Sequence, residues 1–240
     1  MENVEKKFYS EHYKNLGPLN TDMTLDEIDK EYFIKKKRYH IINEILDKNK
    51  EYNLLVEVGM GQGHTLSYLN QKFKFKRIIG YDVVDFKKNL LKDFSNIDIR
   101  TANFNNDLPL ENGTIDCFVL MMVIEHLFNP FHSFAEIRRL LSNNGYAFIN
   151  LPLITSIKNR LRLLLGKMPE TSVEYNKWFI DKSWDGNHLH YFTMDSIFKI
   201  CKLNNLEIIK VSPVGNFYFM KKFFPSLLCN EISICIKKIK

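Results

Sequence analysis

No stretch of this 240-residue sequence is apolar for long enough to cross a bilayer as a helix. The most apolar run, Phe118 to Phe128, is interrupted by Glu125 and His126 and falls well short of the roughly 20 residues required. Met1 to Lys7 shows neither the charged-then-apolar pattern nor the small-residue cleavage site of a secretory leader, so a cytoplasmic location is expected. The four cysteines, at 117, 201, 229 and 235, lack the paired short spacings of a zinc site or a redox motif and read as buried, reduced thiols. Internal repeats and low-complexity linkers are also missing. The formal charge of +6 is not gathered into one block. Lys35 to Arg38, Lys72 to Arg77, Lys87 to Lys92 and the C-terminal lysines share it, which suits either a solvated surface or an anion-selective face.

What is present has the proportions of an ordered globular protein, 45% hydrophobic and 26% charged. A chain of this length can bury roughly 70 to 75 per cent of its unfolded surface in one domain. Thr24-Leu25-Asp26-Glu27 has capping-box spacing, and apolar residues recur helically through Ile34, Ile41, Ile42, Ile45 and Leu46, so helices are expected over the first fifty residues. From Asn53 the period changes. Strands are predicted at 53–58, 77–82, 97–101, 115–121 and 146–150, with helices near 63–73 and 85–93; Asn129-Pro130 starts a further helix that Asn144-Gly145 ends. Such alternation implies a parallel, doubly wound sheet with right-handed crossovers. Leu151 to Tyr191 break the rhythm with an amphipathic helix, Ser156 to Leu165, and a loop rich in aromatic and polar residues that resembles a lid. A helix at 193–203 and strands at 206–214 and 231–238 bring the predicted strands to seven.

The informative local feature is Leu54-Leu55-Val56-Glu57-Val58-Gly59-Met60-Gly61-Gln62-Gly63, three glycines at alternate positions directly after a strand. Glycine permits positive φ and close backbone approach to a ligand, and the helix that follows offers unpaired N–H groups and a positive dipole end. The dinucleotide spacing G-x-G-x-x-G fails, because the third glycine comes one residue early and His64 stands where it should be. Nineteen residues after Gly63, Asp82 ends the second strand. Its carboxylate can accept two hydrogen bonds from a ribose, or it can cap the helix that starts beyond Val83.

With Glu57 two residues before the first glycine, this run resembles the first motif of class I S-adenosylmethionine-dependent methyltransferases. Asp107-Leu108-Pro109-Leu110, Ile115-Asp116-Cys117-Phe118 and Met121 to Pro130 resemble the later core of the small-molecule members, which include ubiquinone-biosynthesis and sugar-modifying enzymes. Asn187-His188-Leu189-His190-Tyr191-Phe192-Thr193 extends the likeness to about residue 210. The resemblance implies a Rossmann-like methyltransferase fold in one domain, with a helical cap at 1–50, a cofactor-binding core at 51–150, a substrate lid at 151–192 and a C-terminal helix and strands at 193–240. It implies S-adenosylmethionine as cofactor, with the methionine part held by the turn of Glu57, Gly59, Gly61 and Gly63. The ribose falls to Asp82 beside Val83, the adenine to Asn103 and Phe104, and a further contact to Met121. Asparagine at 103 departs from the commoner aspartate, but its amide oxygen can accept the same hydrogen bond.

Methyl transfer needs an aligned acceptor and, for a hydroxyl, a proton acceptor. His126 stands just beyond the fourth strand, where doubly wound sheets bind ligands, and His188 matches the later family pattern; each is a candidate base or a structural histidine. His188-Leu189-His190 carries metal spacing without an evident carboxylate partner, so no metal is expected. The resemblance implies that the segment of Tyr9, His12 and Tyr13 folds over the cofactor, with one of the two tyrosines a candidate to close the pocket. Lys158, Arg160 and Arg162 can read a phosphate of the acceptor, and Tyr175, Trp178, Phe179 and Trp184 can wall a sugar or an aromatic ring. The expected reaction is O-methylation of a small polar acceptor, such as a nucleotide-linked sugar or phosphorylated precursor of a surface polysaccharide. Quinone or other aromatic acceptors and a non-catalytic binding module stay open. RNA is disfavoured, since the segment after the fourth strand is not Asn-Pro-Pro-Tyr and no stacking platform is evident.

Overall fold

The computed structural model describes residues 7, 9, 27, 30, 37–84, 91, 94–171 and 188–239. The capping box at 24–27 falls outside this set except for Glu27, and the helix expected at 85–93 falls outside except for Leu91. Within it, seven strands form one sheet: β1 Glu51–Val58, β2 Lys74–Asp82, β3 Ile97–Thr101, β4 Ile115–Met121, β5 Leu141–Pro152, β6 Leu206–Pro213 and β7 Glu231–Lys238. Their order is β3-β2-β1-β4-β5-β7-β6, and all are parallel except β7, which runs antiparallel to both neighbours. The chain moves outward from β1 to β3 and then resumes at β4 on the other side of β1. That reversal is the switch point at which such sheets open a crevice.

Both faces of the sheet are buried, as a parallel sheet requires. Along β1 and β4, Val56, Val58, Phe118 and Leu120 enter one apolar cluster, while Leu55, Cys117 and Val119 enter another on the opposite face. The helices are α1 His40–Ile45, α2 His64–Lys72, α3 Pro130–Leu140, α4 Ile157–Leu164, α5 Met194–Leu203, α6 Tyr218–Phe223 and α7 Pro225–Leu228. None is long and apolar enough to cross a membrane among the described residues. Start signals act as their chemistry dictates. Asn129 accepts the His132 N–H ahead of Pro130, and Thr193 forms a reciprocal capping box with Ser196. Asn129→Ala should therefore cost about 1 kcal/mol, read as a fall of about 2 to 4 °C in melting temperature.

The join between α3 and β5 departs from expectation. The helix ends at Leu140 and the strand starts at once, instead of breaking at Asn144-Gly145. Leu141 pairs with Ile115, but the next partners are Cys117 and Tyr146, so residues 142–145 bulge out of the ladder. Gly145 belongs to that bulge because a Cβ there would lie 2.4 Å from the Ile115 carbonyl oxygen. Buried Leu141 holds the early register. The short helices α6 and α7 carried no period that the sequence reading detected. Four of their large apolar side chains, Phe219, Met220, Phe223 and Leu227, are exposed.

Candidate active site

Val58 pairs with Tyr81 and with Leu120, and Met121 pairs with Asn150, so the carboxyl ends of β1, β2, β4 and β5 form one edge. The glycine turn leaves that edge from β1. Gly59, Gly61 and Gly63 all have positive φ, at 69°, 53° and 86°, and the Gly59 and Met60 N–H groups both donate to the Tyr81 carbonyl, at 2.8 and 3.2 Å. A Cβ on Gly59 would lie 2.5 Å from Val123 Cγ2, whereas one on Gly61 would meet nothing within 4 Å. The turn is thus packed against the β4 exit on one side and open on the other. This is the shape of a cradle whose backbone a ligand can approach.

Two carboxyls flank the cradle. Glu57 is buried, its Oε2 has no hydrogen-bond partner, and burial pushes its carboxyl well above the usual range against the opposing bond from Thr65. The Thr65 hydroxyl also meets the Tyr39 hydroxyl at 2.9 Å, which links the turn to α1. Asp82 serves the fold as well as offering itself to a ligand. Its Oδ2 accepts the Gly61 N–H at 2.9 Å and its Oδ1 the Val84 N–H at 3.1 Å. Burial raises the Asp82 carboxyl, with the N–H groups of Gly61, Val84 and Val83 opposing. His64, first residue of α2, sits beside the turn, and burial lowers its imidazole from the usual value.

The turn after β3 differs from its sequence reading. Asn103 Oδ1 already accepts the Asn105 N–H at 3.1 Å and its Nδ2 at 2.9 Å, so both its lone pairs are spent locally. Phe104 is turned inward, edge-on to Phe118 with ring centroids 5.8 Å apart, and belongs to the core.

Across the switch point, half-buried Met121 ends β4, Met122 takes a positive φ of 58°, and a single 3₁₀ turn, Ile124–His126, follows. Glu125 is completely buried, neither carboxylate oxygen has a hydrogen-bond partner on another residue among the described ones, and burial pushes the carboxyl up to about 8 against its own backbone N–H. The Glu125 carbonyl accepts the N–H of Leu189 at 2.9 Å and of His190 at 3.1 Å, which brings the His188 loop onto the turn. The His126 and His188 rings meet edge to face, centroids 4.9 Å apart. His188 Nδ1 lies 2.6 Å from the Thr171 hydroxyl, while His190 turns away and faces the Phe128 carbonyl at 3.3 Å. The two histidines singled out from sequence are therefore neighbours, and a carboxylate oxygen of Glu125 lies within 4.8 Å of a ring nitrogen of each. Sequence reasoning used that residue only to interrupt an apolar run. Tyr9 closes over the same place, its hydroxyl donating to the His126 carbonyl at 2.7 Å and its ring edge-on to Phe128. His12 and Tyr13 lie outside the described residues.

The basic side chains of α4 are less available than their sequence suggests. Lys158 and Arg162 both pair with Glu170, at 3.0 and 2.9 Å, and Arg162 also donates to the Met168 carbonyl. Arg160 donates its Nε to the Thr155 carbonyl at 2.7 Å, and no carboxylate pairs with it among the described residues. Tyr175, Trp178, Phe179 and Trp184 fall outside the described residues.

Comparison with known proteins agrees with the edge geometry. A family described as a methyltransferase domain matches residues 29–211. An S-adenosylmethionine-dependent methyltransferase of Thermotoga maritima superposes with a TM-score of 0.59 at 14% identity, covering 99% of each chain. One from Mesorhizobium loti gives 0.62 at 12% identity, over 84% of this chain and 97% of that one. The 1,6-didemethyltoxoflavin-N1-methyltransferase of Burkholderia thailandensis, solved with its substrate and S-adenosylhomocysteine, gives 0.58 at 13% identity, over 99% and 88%. No curated protein matches the chain by sequence. Family match, sheet order and the glycine turn agree, and the chain belongs to the methyltransferase-domain family, within the class I S-adenosylmethionine-dependent methyltransferases.

Proposed function

We propose that this enzyme methylates an oxygen of a small polar acceptor, with a phosphorylated or nucleotide-linked sugar bound for a surface polysaccharide as the acceptor class. The observation that carries the oxygen assignment is the His126–His188 pair at the edge where the glycine turn also emerges. S-adenosylmethionine supplies a methyl group on a sulfonium, ready for in-line displacement. The open side of the turn receives the methionine part, with Glu57 toward its ammonium group. Asp82 keeps its backbone bonds and accepts from the ribose beside them. Val83 and Met121 line the cofactor, and the adenine sits by the turn of Asn103 and Phe104. His126 and His188 orient the acceptor hydroxyl and take its proton as the methyl group arrives. Arg160 is the cation of α4 left to meet a phosphate, in place of the trio expected from sequence. Trp178 and Trp184 remain candidates for the sugar-stacking wall.

Labelled S-adenosylmethionine, offered with nucleotide sugars, phosphorylated polyols, quinones and RNA, tests the reading. Transfer to the phosphorylated sugars is expected, with His126→Ala and His188→Ala each lowering kcat by about 100-fold or more. Transfer to quinone or RNA alone would reject the acceptor class, and wild-type turnover in both variants would reject the role given to the histidines.

A further inference from the structure

Glu125 poses a problem that methyl transfer does not solve. A carboxyl with no exposed surface and no hydrogen-bond partner on another residue among the described ones is costly, and such groups persist where something else satisfies them. Among the described residues, one group offers donors for an ion: a carboxylate oxygen of Glu125 and one ring nitrogen each of His126 and His188 lie within 4.8 Å of one another.

We infer that Glu125, His126 and His188 form a binding site for a divalent first-row transition cation, with positions left open for oxygen donors. Two imidazoles and one carboxylate suit zinc, iron, cobalt or manganese better than magnesium, which prefers an all-oxygen shell. Bond lengths near 2.0 to 2.2 Å place donors roughly 3.3 Å apart in a tetrahedral shell, so the ion draws these atoms in by up to about 1.5 Å. His126 is only partly buried, and its side chain can make that adjustment.

The surroundings are those of a held ligand set. The Thr171 hydroxyl, 2.6 Å from His188 Nδ1, holds that ring in place, the kind of contact that commonly orients metal-bound histidines. The Glu125 carbonyl fixes the His188 loop through Leu189 and His190, and Tyr9 fixes the His126 backbone. Three protein donors leave one tetrahedral position or three octahedral ones. A hydroxyl of an acceptor can enter there, and the ion rather than the imidazoles would then make it acidic. Binding of the ion does not depend on that use or on the acceptor proposed above.

The test uses the tag-free full chain, stripped with chelator and titrated with Co²⁺ alone, without cofactor or acceptor. Saturable uptake of one Co²⁺ per chain is expected, with visible d–d absorption and displacement by Zn²⁺ but not by equal Mg²⁺. Glu125→Gln, His126→Gln and His188→Gln should each weaken uptake by at least about tenfold, and His190→Gln should leave it unchanged. Glu125→Gln keeps the side chain's shape, and its thermal melt separates lost ligation from lost fold. No saturable uptake, uptake that survives all three ligand variants, or uptake lost in His190→Gln and kept in His126→Gln would overturn the site. Failure here leaves the methyl-transfer assay untouched, and failure of that assay leaves this titration untouched.

Discussion

Gly59→Ala should lower the melting temperature by about 5 to 15 °C and weaken S-adenosylmethionine binding by at least about tenfold. Two costs add. An alanine forced to φ near 69° costs about 1 to 2 kcal/mol, and its methyl would stand 2.5 Å from Val123 Cγ2, an overlap worth about 1 to 3 kcal/mol. Valine is short and stiff, so the turn has to move, and with it the N–H groups of Gly59 and Met60 that hold it to Tyr81. Val123→Ala, combined with Gly59→Ala, relieves the overlap but not the backbone strain and should restore about half of the loss. Calorimetric titration alongside thermal melts reads both effects. A Gly59→Ala protein with unchanged affinity would show that the cofactor does not use this turn.

Glu57→Gln should act in opposite directions on the free and the bound enzyme. Burial raises the Glu57 carboxyl well above its ordinary 4.5, so the fold favours the protonated form. The stability this contributes is complete below pH 4.5 and is lost as pH rises through the folded-state value. Over that interval the group alone removes about 1.4 kcal/mol per pH unit. Glutamine has no proton to lose, so the variant should melt like the wild type near pH 4.5 and above it at pH 8. The cofactor's ammonium group favours the ionised carboxylate, so wild-type binding should release a proton and strengthen with pH. Glu57→Gln should bind at least about tenfold more weakly and release none. Titrations in buffers of different ionisation enthalpy count that proton. Equal proton release by both proteins would exclude Glu57 as its source.

Much of the sheet could be read from the chain because β1 and β4 carry near-continuous apolar runs while β3 and β7 alternate apolar with polar residues. Ile97 to Thr101, Ile115 to Met121 and Glu231 to Lys238 have the limits expected of them. Misreading began where a local signal competed with a distant partner. Asn144-Gly145 has the composition of a helix end, yet Leu141 is already paired to Ile115, 26 positions away, and the glycine is spent on a bulge. At the site, the turn of Gly59 to Gly63 and Asp82 were legible because backbone conformation and strand ends fix them locally. Glu125 was not. An acidic residue in an apolar run announces that it is ionisable, but only the fold of a loop 63 residues on brings His188 beside it. Phe104 and Arg162 illustrate the reverse, residue types suited to a ligand that the fold commits to the core and to Glu170.

The seam between residue 125 and residues 189 and 190 is made of backbone alone, one carbonyl receiving two N–H groups. These bonds are therefore indifferent to the side chains at 189 and 190, and proline at either position is the replacement that unfastens the junction. A scaffold joined in this way lets specificity diverge without first having to reinvent the pocket.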